Sequence, residues 1–236
     1  MGRLLLGLLI GILLGGGLSY FLLVGTPRSS PPPGEPMRPP DASAMPPGTA
    51  QIVLRQDFFN GVLNTVFSEM NPPVFALDRG GRNGECPSQL TILRQGSGAE
   101  SIVRLEGERL GANLAFNGNY NSPVGCIAFS GWADSNFELR YDPANKSVFG
   151  QLNVANVNLD GVNPIFAPLI TPIIQSTINS RVNPIPIVDG ARLSLNIPMA
   201  AAGGELNAVI SDVRGEVKDN ALNLYVVYDF SGRVAR

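Results

Sequence analysis

The chain contains no histidine, so acids and cysteines carry whatever side-chain chemistry is open to it. A Ser-His-Asp triad, a Cys-His pair and every histidine-bearing zinc motif are excluded. Carboxylate chemistry remains. Glu106 and Glu108 alternate onto one face of a predicted strand, and Asp134 and Glu138 lie near each other in sequence. Acids spaced this way on strands read as a solvated face rather than an acid–base pair. The two cysteines, Cys86 and Cys126, have no companions for a zinc site. An even pair in a chain that also holds a membrane-length apolar run points to a disulfide in an oxidising compartment. The alternative is two unrelated buried thiols. Arg79, Gly80, Gly81, Arg82, Asn83, Gly84 and Glu85 form a glycine-rich loop without the spacing of a phosphate-binding fingerprint. The loop reads as a flexible turn, with anionic headgroups as the other use for its arginines. Asn145-Lys146-Ser147 fits a glycosylation sequon, which matters only in a eukaryotic secretory pathway. These residues predict no catalytic group, no metal ligand and no cofactor, and therefore not an enzyme.

Apolar residues at regular spacing carry more information. Phe58, Phe59, Val62, Leu63, Val66, Phe67 and Met70 form a stripe at helical spacing after Asp57, which reads as an N-cap. Asn71-Pro72-Pro73 ends that helix. A second stripe holds Ile165, Phe166, Leu169, Ile170, Ile173, Ile174 and Ile178, with Pro164, Pro168 and Pro172 four residues apart. Interior prolines remove donors and clash with the carbonyl four residues back. The spacing therefore predicts a kinked apolar helix that needs an apolar surface to receive it.

Strand signals supply that surface. Alternation predicts strands over Gln89–Arg94, Ser101–Leu110, Ala112–Asn119, Val124–Trp132, Asn136–Tyr141, and from Ser147 onward, with a bulge near Ala155-Asn156. Further strands follow over Ala191–Ile197, Glu205–Val213 and Ala221–Phe230, with a hairpin turn at Lys218-Asp219-Asn220. The expected fold is α+β. A long curved antiparallel sheet wraps around the N-terminal amphipathic helix and the late proline-containing apolar helix, with a transmembrane helix in front. A channel between the late helix and the sheet would be lined by Phe58, Phe59, Val62, Leu63, Phe67, Phe166, Leu169, Ile170, Ile173 and Ile174.

Leu4–Val24 is apolar and uncharged, long enough to span a bilayer as a helix. It reads as an uncleaved signal anchor over residues 1–25, the alternative being a cleaved signal peptide. Gly7, Gly11 and Gly15 make a small-residue face suited to self-association. Arg3 before the run weakly favours a cytoplasmic N-terminus. Together with the cysteine pair, this places the C-terminal domain outside the cytoplasm, in the periplasm if the source is bacterial. Residues 26–50, rich in proline, read as a semi-rigid spacer, and residues 51–236 as one domain. Net charge is -2 and no basic stripe is present, which argues against a nucleic-acid partner.

The order of these elements resembles the tubular lipid-binding (TULIP-like) superfamily. That group includes the bactericidal/permeability-increasing proteins, SMP domains and small bacterial lipoproteins. The resemblance covers Gln51–Phe230. It rests on an early amphipathic helix (Asp57–Met70), a strand meander, the late segment "NPIFAPLITPIIQSTINSRVNPIPI" (Asn163–Ile187) and terminal hairpin strands. It implies a lipid held between helix and curved sheet, without covalent chemistry. The expected function is a membrane-anchored extracytoplasmic protein that binds or transfers a lipid or other amphiphile. The rival is a membrane-tethered scaffold or envelope-assembly factor with a protein partner.

Overall fold

The computed structural model describes residues 31–41, 45–77, 86–122 and 125–234. Two antiparallel sheets dominate it. The larger has eight strands. Its main path runs β11 (Ile185–Val188), β10 (Ser147–Asp160), β9 (Gly125–Asp142), β8 (Arg109–Ser122), β4 (Gln89–Leu93) and β3 (Val74–Ala76). In addition β1 (Glu35–Pro36) pairs with β9, and β7 (Ile102–Glu106) pairs with β8. The smaller sheet has the order β12 (Leu195–Met199), β13 (Gly204–Lys218), β14 (Ala221–Val234) and β2 (Thr49–Arg55). A two-stranded ribbon, β5 (Gln95–Gly96) with β6 (Ala99–Glu100), branches off between β4 and β7.

The helices are α1 (Gln56–Glu69), α2 (Ala167–Arg181) and the single turn α3 (Gly190–Leu193). They are few against so much strand, which corrects the α+β expectation: the fold is mostly β, with two sheets in place of one. Nor does a sheet wrap around the early helix. No residue of α1 is fully buried, so it lies on the sheets as a half-covered element. Asp57 sits in its first turn and Arg55 takes the N-cap position. The run Leu4–Val24 lies outside the described residues, as do the loop residues Arg79 to Glu85. Among the described residues no helix is long and apolar enough to cross a membrane, so the expected transmembrane helix has no counterpart there.

Strand boundaries shifted where small residues hide the pattern. The strands expected over Val124–Trp132 and Asn136–Tyr141 are, from Gly125 on, one strand, β9; Val124 lies outside the described residues. Ala133 and Ser135, 0% and 1% exposed, keep the inward alternation going without large side chains. Ser101–Leu110 is instead a hairpin, because Gly107 takes a left-handed turn (φ 61°). The bulge in β10 is present, between Val154 and Asn156. The turn after β13 is also present, with Asp219 and Asn220 at φ 53° and 55°, the geometry of a two-residue hairpin.

The late helix is shorter than its apolar run. Pro164 precedes it, and Pro168 sits in the first turn, where no donor is required. Only Pro172 is interior. Ile170, Ile174 and Ile178 recur every fourth residue and are completely buried against Leu90, Ile92, Phe116, Phe129, Leu152 and Val154. A second stripe of α2 does different work. Gln175 and Asn179 bond the backbone of Val154, and Asn183, just past the helix, bonds that of Leu152. Beyond Gly150, β10 has no strand partner on this side, because β11 pairs only as far as that residue. The amides of α2 thus replace a neighbouring strand and satisfy an otherwise open edge.

Candidate functional site

The ten predicted lining residues do not share one cavity. Ile170 and Ile174 are core, with Phe67 and Phe166 packed against the same cluster. Phe59 and Leu63 pack on a different cluster of Val103, Leu105, Leu110 and Ala112. Phe58, Val62 and Leu169 are exposed, and Ile173 is half-buried. The space under α2 is therefore filled by its own isoleucines.

The layer between the two sheets is more informative. At its middle it is filled by Tyr141 and Val148 from the large sheet and Ile210, Val213 and Val226 from the small one. On one side of this plug a groove of about 920 Å³ opens between β9 and β13. Leu110, Phe137, Leu139, Val217 and Met37 give it an apolar floor, and Glu108, Arg109, Glu138, Glu216 and Lys218 give it a charged rim. Part of its wall is the proline-rich segment Pro36–Pro39. That segment is no free spacer. β1 pairs with Tyr141 and Arg140, Met37 N–H donates to Leu139 at 2.9 Å, and Gly215 N–H donates to Arg38 at 3.1 Å. Arg140 donates to the carbonyls of Pro33 and Gly34, and Arg214 pairs with Asp41 and Asp212. The segment is a strap from the large sheet to the small one.

On the other side of the plug the small sheet continues and, past the buried Ala208, one of its faces is open. In its register Leu195, Ala208 and Phe230 form one row, Ile197, Leu206 and Gly232 the next, and Met199, Gly204 and Val234 the last. Alternation puts all nine on the face that carries Ile210 and Tyr228 into the plug. Every one is apolar or glycine. Leu195, Ile197, Met199, Phe230 and Val234 are 40–74% exposed. The opposite face of the same strands carries Asn196, Glu205, Asn207, Asp229, Ser231 and Arg233. Sequence reading recovered the alternation of β13 and β14, but its strand over Ala191–Ile197 is instead the turn α3 followed by β12 (Leu195–Met199). It missed this surface, because alternation marks an apolar face and does not say whether anything covers it.

Acid–base machinery does not assemble among the described residues. Glu106 and Glu108 stand on the exposed β7–β8 hairpin. Glu138 pairs with Arg140 at 2.7 Å. Asp134 belongs to a polar network with Asn113. No group of three metal-binding side chains is present there. The shifted groups are structural. Burial, then the carboxylates of Asp212 and Asp142, raise the Tyr141 hydroxyl. Burial and the bond to Glu216 raise Tyr225. The Asn145 side chain, with backbone donors in the same turn, lowers Asp142. Cys86 and Cys126 form a disulfide with Cα atoms 5.7 Å apart, which joins the chain before β4 to the start of β9.

Neither family models nor curated proteins match this chain.

Proposed function

We propose that this protein binds the hydrocarbon part of a lipid or other amphiphile without catalysing a reaction. Its apolar N-terminal run would hold it at a membrane with the β domain on the extracytoplasmic side. One observation carries the reading: the uncovered apolar face of β12, β13 and β14. An apolar sheet face in water is unfavourable by roughly 25 cal/mol per Å² left exposed, and contiguous exposed patches of this kind mark interaction sites. Acyl carbon laid on the three rows gains that energy, at about 0.8 kcal/mol per CH₂. The inter-sheet groove, apolar below and charged at its rim, suits the same class of molecule. The disulfide supports an oxidising compartment, and the ligand class is the one that the tubular lipid-binding resemblance implies.

A second reading, a tethered scaffold with a protein partner, draws on a specific feature. β12 is an edge strand, exposed along its whole length, and such an edge accepts another strand. The test separates the two. Membranes carrying the full chain are given a photoactivatable fatty acid, irradiated, and the labelled peptides mapped. Label is expected in residues 195–199, 204–208 and 230–234. It should fall at least tenfold in an Ile197→Asp/Phe230→Asp variant whose melting temperature is unchanged. Absent label, or equal label in the variant, overturns the lipid reading. A protein crosslinked to β12 in its place puts the scaffold first.

A further inference from the structure

The only tryptophan of the chain, Trp132, stands on the outer face of the large sheet. Its neighbours in sequence, Gly131 and Ala133, point into the core, and Trp132 belongs to none of the three apolar clusters. It is half-buried and lies between Ala115 on β8 and Asn158 on β10. On β8, β9 and β10 the rows on either side are polar: Asn113, Asp134 and Asn156 in one, Asn117, Ser130 and Asp160 in the other. An indole ring therefore sits inside a frame of hydrogen-bonding side chains.

Three further features shape the place. The ribbon of β5 and β6 folds out over Ala115, the neighbour of Trp132. A Cβ on Gly96 would stand in ordinary contact with the Ala115 Cβ, at 3.9 Å, and tighter, at 3.1 Å, on Leu93 Cδ1. The ribbon is turned by Ser97 and Gly98 at φ 53° and 72° and lies on the β8 side of this row. One row away, a cleft of about 580 Å³ opens at Arg104, Asp134 and Asn136. Its polar groups are held in place. With its amide oriented to satisfy both neighbours, Asn113 donates to Asp134 Oδ1 at 3.2 Å and accepts from Arg104 Nη2 at 2.6 Å.

We propose that Trp132 and its flanking polar rows bind a hexopyranose ring of a neutral glycan. A pyranose offers an apolar face of axial C–H groups, which stacks on an aromatic plane, and an equatorial belt of hydroxyls that both donate and accept. Asparagine side chains match that belt because each has two donors and a two-lone-pair acceptor. Tryptophan suits a place where one side is apolar and the other wet. Charge disfavours an anionic sugar: Arg104 and Asp134 compensate each other through Asn113, and Asp160 stands uncompensated by them in the other row. A flat nucleobase would stack equally well, but a nucleotide brings phosphate, and these rows offer it Asp134 and Asp160.

Because Trp132 is the sole tryptophan, its emission reports on this place alone. The full chain, in a detergent without aromatic groups, is titrated with chitohexaose, cellohexaose, maltohexaose and isomaltohexaose. A saturable shift of emission with at least one of them is expected. The affinity should fall at least tenfold in Asn156→Ala and in Asp134→Asn, each with an unchanged far-ultraviolet spectrum. For Trp132→Phe, calorimetry should show weakened binding, and for Trp132→Ala none. Unchanged emission with all four sugars overturns the proposal. So does binding that survives in Trp132→Ala. Neither result bears on the apolar face of the small sheet, which belongs to the other layer of the molecule.

Discussion

Tyr141 is a residue whose position costs stability. It closes the plug between the sheets, 8% exposed, and its hydroxyl has no hydrogen-bond partner among the described residues. An unpaired buried hydroxyl is unfavourable by about 1–3 kcal/mol. Burial and two nearby carboxylates also disfavour its ionised form, so the folded pKa lies above the unfolded one. A raised acid of this kind leaves stability intact below the unfolded value, near 10, and loses it as pH climbs through the folded value. Tyr225 adds in the same direction. Tyr141→Phe keeps the ring and removes the hydroxyl. Its melting temperature at pH 8 should equal or exceed that of the parent, and its decline above pH 10 should be shallower. A clear loss of stability at pH 8 would mean the hydroxyl has a partner, such as a bound water. Nothing in the sequence marked this tyrosine, since its surroundings come from β13, some seventy residues away.

At the scale of elements, α2 shows what a linear pattern holds and what it lacks. The recurrence of Ile170, Ile174 and Ile178 was legible as a helix with a buried stripe. The prolines were misread as one kinked stack, because the helix begins at Ala167 and two of the three fall at or before its first turn. The second stripe was not legible at all. Gln175, Asn179 and Asn183 look like an ordinary wet face until β10 is known to lack a strand neighbour there. Asn183 accepts from Leu152 N–H at 2.7 Å and donates to its carbonyl at 2.6 Å. Asn183→Ala leaves both backbone groups without a partner beside a packed core. A loss of about 1–3 kcal/mol follows, read as a lower denaturant midpoint with an unchanged slope. Asn183→Asp keeps the acceptor and loses the donor, and should fall between. An Asn183→Ala variant as stable as the parent would show that water serves this edge as well as the amide does. The candidate site was hidden for a related reason. Filling of the space under α2 depends on how closely isoleucines meet Phe116 and Leu152, and spacing along the chain carries no such distance.

For the whole molecule, the deciding feature is that the small sheet is built from both ends of the domain. β2 comes from its start and β12, β13 and β14 from its end, and Thr49–Arg55 pairs residue by residue with Val227–Ala221. The strap adds a second long-range closure, from β9 to β13. Composition marked residues 26–50 as a spacer, since proline-rich segments ordinarily have nothing to pack. Here Met37 packs against the Tyr141 plug. Gly34, at φ 73°, brings the backbone so close to the Tyr141 carbonyl that a side chain would collide with it. A chain begun at Gln51 should therefore be a damaged domain. It lacks Met37, the ladder between β1 and β9, the Arg214–Asp41 pair and the first two residues of β2. Half-burial of Met37 together with the lost backbone bonds amounts to roughly 2–4 kcal/mol. In a domain of this size each kcal/mol moves the midpoint by about 2–4 °C. Compared with a chain begun at Pro32, the shorter one should melt about 5–15 °C lower, and the Gly215 amide, which donates to the Arg38 carbonyl of the strap at 3.1 Å, should exchange its hydrogen faster. Equal melting temperatures would mean that the strap rests on the sheets without holding them, and that the domain begins at Gln51 as composition indicates.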